Sequence, residues 1–186
     1  MNLTTRQQIN IGLILTLIMA LTRSHHWATL NALPDASWAI FFLVGVYLRP
    51  LWIMPALIAA AMGIDYVAIS QFGVSDFCIS PAYWLLVPAY VSLFIAGRIY
   101  AAHHRMNLSA LPWLVGTALI GAVSAELFSS GGFYLFSGRF ASPTLAEFVP
   151  QFFQYFPMML SSFAFYLGVA AVAHLLVNST NGQRTA

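Results

Sequence analysis

Apolar runs of helical length recur along the whole chain, separated by short polar stretches, and six can be read as helices. The first covers about residues 9–22, after a short polar start containing Arg6. No small-x-small cleavage site follows it, and Thr22 to His26 come next, so it reads as an uncleaved span. The second, near residues 37–48, is short for a bilayer about 30 Å thick. Arg49-Pro50 breaks the chain there, because proline disfavours helix in the residue before it. The third span, about 51–70, carries Asp65. A polar stretch from Gln71 to Ser80 leads to Ser80-Pro81, a serine cap followed by proline at the first helical position. The fourth span, about 81–102, ends at His103-His104-Arg105. The fifth, about 111–128, is followed by a Gly/Ser-rich loop, Ser129-Ser130-Gly131-Gly132, and Arg139. The sixth lies within about 148–177, with a loose polar tail from Asn178 to Ala186. The pattern predicts one all-α integral membrane domain over residues 1–186 with six transmembrane helices.

Composition agrees. The chain is 60% hydrophobic and 6% charged, with a mean hydropathy of +0.80. A soluble domain carries roughly a quarter charged residues, so the solvent for most of this surface is lipid. All seven basic residues are arginine. The phosphate-binding loop of nucleotide hydrolases needs a lysine, so the chain has no ATP site of that kind. A net charge of +2 on scattered arginines offers no basic patch for nucleic acid. A single cysteine excludes an internal disulfide, a Cys-x-x-Cys pair and a multi-cysteine zinc site; the quinone-coupled disulfide-forming membrane enzymes, which need paired thiols, are excluded with them.

With six spans, one side collects Arg6, Arg49, Arg98, Arg105 and Arg184, and the other keeps Arg23 and Arg139. The positive-inside rule then puts both termini in the cytoplasm. The loops after spans one, three and five face outward and hold His25, His26, Asp35, Asp76, Cys78 and Arg139.

Several of these residues carry candidate chemistry. Cys78 lies just ahead of the fourth helix, whose dipole lowers a thiol pKa, while Asp76 opposes that; a soft metal would deprotonate the sulfur outright. Free cysteine also serves as an inert small apolar residue. Asp65 is an intramembrane carboxylate, either a binding group or the partner of an arginine. His25 and His26 point about 100° apart on a helix and do not suit one metal together; His26 is the better pocket candidate, if it turns inward. His103 and His104 read as an interfacial anchor, and His174 as a satisfied bundle histidine. Tyr83 and Trp84, with Phe77, Phe133, Tyr134 and Phe136, form an aromatic-rich outer end that suits a wide flat ligand or an ordinary interfacial belt. Gly12, Thr16 and Ala20 make a small-residue face on the first helix.

A small six-helix membrane protein with working loops after spans one, three and five, and no nucleotide motif, resembles the substrate-binding S-components of energy-coupling-factor (ECF) vitamin importers. The cysteine in Asp76-Phe77-Cys78-Ile79-Ser80-Pro81 resembles that of the BtuM family of bacterial cobalamin (vitamin B12) transporters. The resemblance covers essentially the whole chain. It implies an S-component-like bundle in the bacterial cytoplasmic membrane, cobalamin as transported substrate, and Cys78 as the sulfur ligand of cobalt. It also implies loss of cyanide from bound cyanocobalamin and uptake without the ECF ATPase module. The Gly12-Thr16-Ala20 face departs from the motif, with alanine at both ends, by which S-components dock to that module. His26, Asp65 and Tyr83 are further pocket candidates on their placement alone. Thiolate is a soft, strongly donating ligand suited to cobalt, and it weakens the bond to the ligand opposite.

Three other readings stay open at this point: an S-component for another vitamin working with an ATPase module, with Cys78 incidental; a membrane enzyme with Cys78 as nucleophile and His26 as base; and a structural membrane subunit.

Overall fold

The structure, a computed structural model, describes residues 3–23, 33–77, 79–103 and 110–183. Among the described residues the regular structure is all helix. The elements are α1 (Thr5–Arg23), α2 (Ser37–Tyr47), α3 (Ile53–Phe72), a 3-10 turn (Pro81–Leu85) running into α4 (Leu86–His103), α5 (Leu111–Glu126), a π turn (Leu127–Gly131) running into α6 (Gly132–Phe136), and α7 (Leu145–Gln183). Four helical stretches are long and apolar enough to cross a membrane: Ile53–Phe72, Pro81–His103, Leu111–Phe136 and Leu145–Val177. The chain is a multi-pass membrane protein.

The short second helix is the centre of the bundle. Ser37 and Ala39 to Gly45 are all buried, and Phe41 and Phe42 are fully enclosed. Eleven residues span only about 16 Å, which suffices for a helix wrapped in protein. Being apolar all round, it needs neighbours on every side. Its tightest neighbour is α4, where the two backbones meet at a pair of glycines. A Cβ on Gly45 would run into the Phe94 carbonyl, and one on Gly97 into the Phe42 carbonyl. Arg98 then donates to the carbonyls of Leu48 (3.0 Å) and Arg49 (2.6 Å), so a cation satisfies the C-terminal end of α2.

The other helices present one stripe inward and the rest outward. On α3 the buried residues are Leu57, Ala61 and Ala68, a helical stripe on which Asp65 also falls. The helix stops at Gly73, which takes the left-handed conformation (φ 66°). On α4 the stripe is Ala89/Tyr90, Leu93/Phe94 and Ala96/Gly97; α5 faces it with Thr117, Ala118, Gly121, Ala122, Ala125 and Glu126. In α7, only Phe148 and Phe163 are buried among the residues up to Val177, and most of this 39-residue helix turns outward.

Three local expectations are corrected. Ser129-Ser130-Gly131-Gly132 is not a loop: the fifth helix continues through it by way of the π turn to Phe136. Gly131 and Gly132 lie against Phe148 and Leu85, and small residues at a helix contact favour close packing as readily as they favour turns. The tail is helical as far as Gln183, α7 running on through Asn178 to Gly182. Ser80-Pro81 does start the fourth helix, yet the serine hydroxyl makes no cap bond and is left buried without a partner. The Tyr83 N–H bonds the Ser80 carbonyl instead (2.9 Å), closing a tight 3-10 turn.

Candidate functional site

At one end of the bundle the ends of α1 and α3 meet the starts of α2 and α4, and a polar cluster joins all four. Arg23, the last residue of α1, forks onto Asp65 of α3: Nε donates to Oδ1 (2.7 Å) and Nη2 to Oδ2 (2.8 Å). Its Nη1 donates to Tyr90 Oη (2.6 Å) and Ser37 Oγ (2.9 Å). Four of the five guanidinium N–H groups are thus used, in the two-pronged geometry that makes arginine–carboxylate pairs strong. Tyr83 donates its hydroxyl to Asp65 Oδ2 (2.6 Å), so this oxygen takes two bonds.

The sequence places these groups with little freedom. Asp65 shares the inward stripe of α3. Tyr83 and Tyr90 are seven residues, or about two turns, apart and return to one face of the fourth helix. Tyr90 is clamped by stacking on Phe41 (4.1 Å between centroids, 4° between planes). Ser37 is oriented by Asp35, whose Oδ1 accepts from the Ser37 N–H (2.9 Å) and hydroxyl (2.7 Å). Thr22 ties the same corner together by accepting from the Ala36 N–H (3.2 Å). The Arg23 side chain is 7% exposed and that of Asp65 22% exposed, so the carboxylate is the member that meets the outside.

Beside this cluster lies an aromatic joint. Phe77 packs on Phe133 (5.6 Å), and Tyr134 on Phe140 (4.5 Å) and Phe148 (5.8 Å). Arg139 lies over the Phe77 ring (4.9 Å) and donates to its carbonyl (3.4 Å), fastening the segment before the 3-10 turn to the turn after α6. Trp84 and Phe136 are 66% and 62% exposed, so the aromatic residues divide between a packed joint and an outward rim.

Asp65 and Tyr83, both pocket candidates from the sequence, are therefore directly bonded, and Asp65 is the paired carboxylate of the two roles weighed for it. Cys78, His25 and His26 lie outside the described residues. Phe77 and Ile79, on either side of position 78, are each about half exposed at this end of the bundle. Arg23, Ser37 and Tyr90 complete the cluster and were not among the candidates. The available signal was an arginine ending one span at the membrane side where an acid sits in another. Elsewhere, His103 stacks on Trp113 (4.1 Å) and Tyr47 meets His174 (3.5 Å), at the Arg98 end of the bundle. Among the described residues no group of three or more His, Cys, Asp or Glu could hold a metal.

The chain matches no family model and no curated protein.

The cluster's geometry ranks its parts. Removing only the phenol hydroxyl in Tyr83→Phe leaves the fork between Arg23 and Asp65 intact. The expected loss is about 1.5 kcal/mol, the lower range for a hydrogen bond to a charged group, read as thermal denaturation in detergent. A Tyr83→Phe protein as unstable as Asp65→Asn would show that the phenol, and not the ion pair, holds the four helices.

Proposed function

We propose that the chain is a cobalamin uptake protein of the bacterial cytoplasmic membrane, with six spans, both termini cytoplasmic, and the corrinoid taken up at the Asp65 end. In this reading α1, at 19 residues about 28 Å long, and the enclosed α2 are the two spans beyond the four long apolar helices. The observation that carries the site is the setting of the segment around position 78. Phe77 and Ile79, on either side of it, are about half exposed between the polar cluster and the aromatic joint, and Trp84 is exposed near them. A broad, mostly apolar ring with amide edges suits aromatic faces flanked by a few fixed polar groups. The Cys78 sulfur coordinates cobalt on one axial face, and cyanide leaves from the other when cyanocobalamin is the substrate. Asp65 and Tyr83 line the floor, and His26 is the further pocket residue of this reading.

The resemblance of Asp76 to Pro81 to the BtuM segment supports this reading, as does the missing ATP site. Without an ATPase module the protein equilibrates its substrate, and accumulation requires trapping or modification inside the cell. The deciding experiment is the visible spectrum of detergent-purified protein after incubation with cyanocobalamin and desalting, beside Cys78→Ala. Retained ligand with a shifted spectrum in the wild type alone is the expected result. Ligand retained by both with an unshifted spectrum would keep the substrate and remove the role of Cys78. A colourless wild type, folded and monodisperse, would end the cobalamin assignment.

A further inference from the structure

Glu126 is the last residue of α5, immediately before the π turn, and is 1% exposed. Both of its carboxyl oxygens are buried and have no hydrogen-bond partner. The Ser130 hydroxyl, four residues on, does not reach hydrogen-bonding geometry with it. The helix on both sides of Glu126 is pressed against the fourth helix: Gly121 lies on Ala96 and Leu93, and Gly132 on Leu85. The short glutamate side chain cannot escape to an interface from there, as a lysine or arginine would.

Among the described residues no counter-charge answers it, and Arg139 is engaged with the ring and carbonyl of Phe77. Tyr83 and Tyr90 are engaged in the Arg23–Asp65 cluster. Arg98, Tyr100 and His103 lie beyond the Gly121–Ala96 contact, on the far side from Glu126. On α6 and α7, Tyr134 bonds Glu147, Tyr166 bonds the Pro34 carbonyl, His174 meets Tyr47, and Tyr155 is 48% exposed. Nor do the described residues gather there the several oxygen or nitrogen ligands that a metal ion would need. An ionised carboxylate without donors or a cation in such a place is the costliest state available to it, and the neutral acid the cheapest.

We propose that Glu126 is a proton-binding site in the bundle interior, protonated while the α4–α5 contact is closed and releasing its proton to water when that contact opens. The π turn is where the contact gives way, since its widened ring interrupts the regular backbone ladder beside the acid, a device found often at functional positions. The proposal holds whatever substrate the protein carries.

The chain contains two glutamates, Glu126 and Glu147, so Glu147→Gln leaves Glu126 as the single one. That variant, labelled with 13C at the glutamate carboxyl and reconstituted in lipid, is examined at neutral pH by infrared and NMR spectroscopy. The expected result is the signal of a protonated carboxylic acid, converting to carboxylate in denaturant. A carboxylate signal in the folded protein overturns the proposal, as does an acid signal that survives unfolding. Labelled wild type beside Glu126→Gln gives the same reading should Glu147→Gln not fold: the acid signal is lost in Glu126→Gln, and its persistence there would overturn the assignment.

Discussion

Asp65→Asn is expected to destabilise the protein by about 3–5 kcal/mol, the range for stranding one member of a buried ion pair. The substitution keeps the shape of the side chain but removes the charge and turns one of the two accepting oxygens into a donor. Arg23, at 7% side-chain exposure, would be left with its positive charge enclosed, bonded only to the neutral Tyr90 and Ser37 oxygens, with the Asp35 carboxylate held behind Ser37. The mirror change, Arg23→Gln, should cost less. Asp65 is 22% exposed, retains the Tyr83 hydroxyl, and has a neutral form open to it by taking a proton, which arginine lacks. Replacing both, as Arg23→Met with Asp65→Leu, should recover a large part of the loss, because two apolar groups leave no stranded charge. Recovery stays incomplete, since Tyr90 loses the donor that its buried hydroxyl accepts from, while Ser37 keeps Asp35. Thermal denaturation of the four proteins in one detergent ranks the three losses. If Asp65→Asn matched the wild type, the ion pair would not be what holds the four helix ends, and the carboxylate would be free for binding alone.

How far this site was legible follows from the range of each signal. The inward placement of Asp65 and the start of the fourth helix at Pro81 are local facts, written in the period of an apolar stripe and in a Ser-Pro step. That Asp65 and Tyr83 fall at the same end of adjoining spans was legible, though not that they converge. The partner of Asp65 was not: Arg23 is 42 positions away, and no periodicity encodes which of two helix ends meet. Arg23 entered the sequence-based expectations only as a loop charge. The Ser129–Gly132 segment misled for a different reason. Serine and glycine weaken a helix in water, but beside Leu85 and Phe148 they are the residues that let a helix run close to its neighbours, and that packing outweighs propensity. Glu126 was visible as an acid inside the fifth span, and its lack of partners is a property of the fold alone.

The second large effect concerns the centre of the bundle and turns on a single methyl group. Gly97→Ala is expected to destabilise by about 1–3 kcal/mol or more, the cost of overpacking a contact that cannot relax. The new Cβ would meet the Phe42 carbonyl and the Val46 N–H region, which are backbone and cannot rotate aside as a side chain would. Relief requires moving α2 away from α4, and α2 is buried on every side, so the shift would unseat Phe41 from Tyr90 and open space around Phe42 and Phe163. Gly45→Ala should behave alike, since its Cβ meets Phe94 across the same contact. The control lies within the same chain: Gly63, Gly116 and Gly168 are helical glycines with nothing within 4 Å of a built Cβ. Alanine there should be neutral or stabilising by up to about 1 kcal/mol through helix propensity. Opposite signs for one substitution, measured as thermal midpoints in the same detergent, would locate the α2–α4 contact as the point where the bundle tolerates no added volume. A Gly97→Ala protein as stable as Gly168→Ala would mean that the two backbones are further apart than described. Because Tyr90 is both the stacking partner of Phe41 and an acceptor for Arg23, a shift of α2 would also reach the polar cluster. Gly97→Ala should therefore loosen the Arg23–Asp65 cluster at the far end of the helix as well as lower the thermal midpoint, while Gly168→Ala leaves both intact.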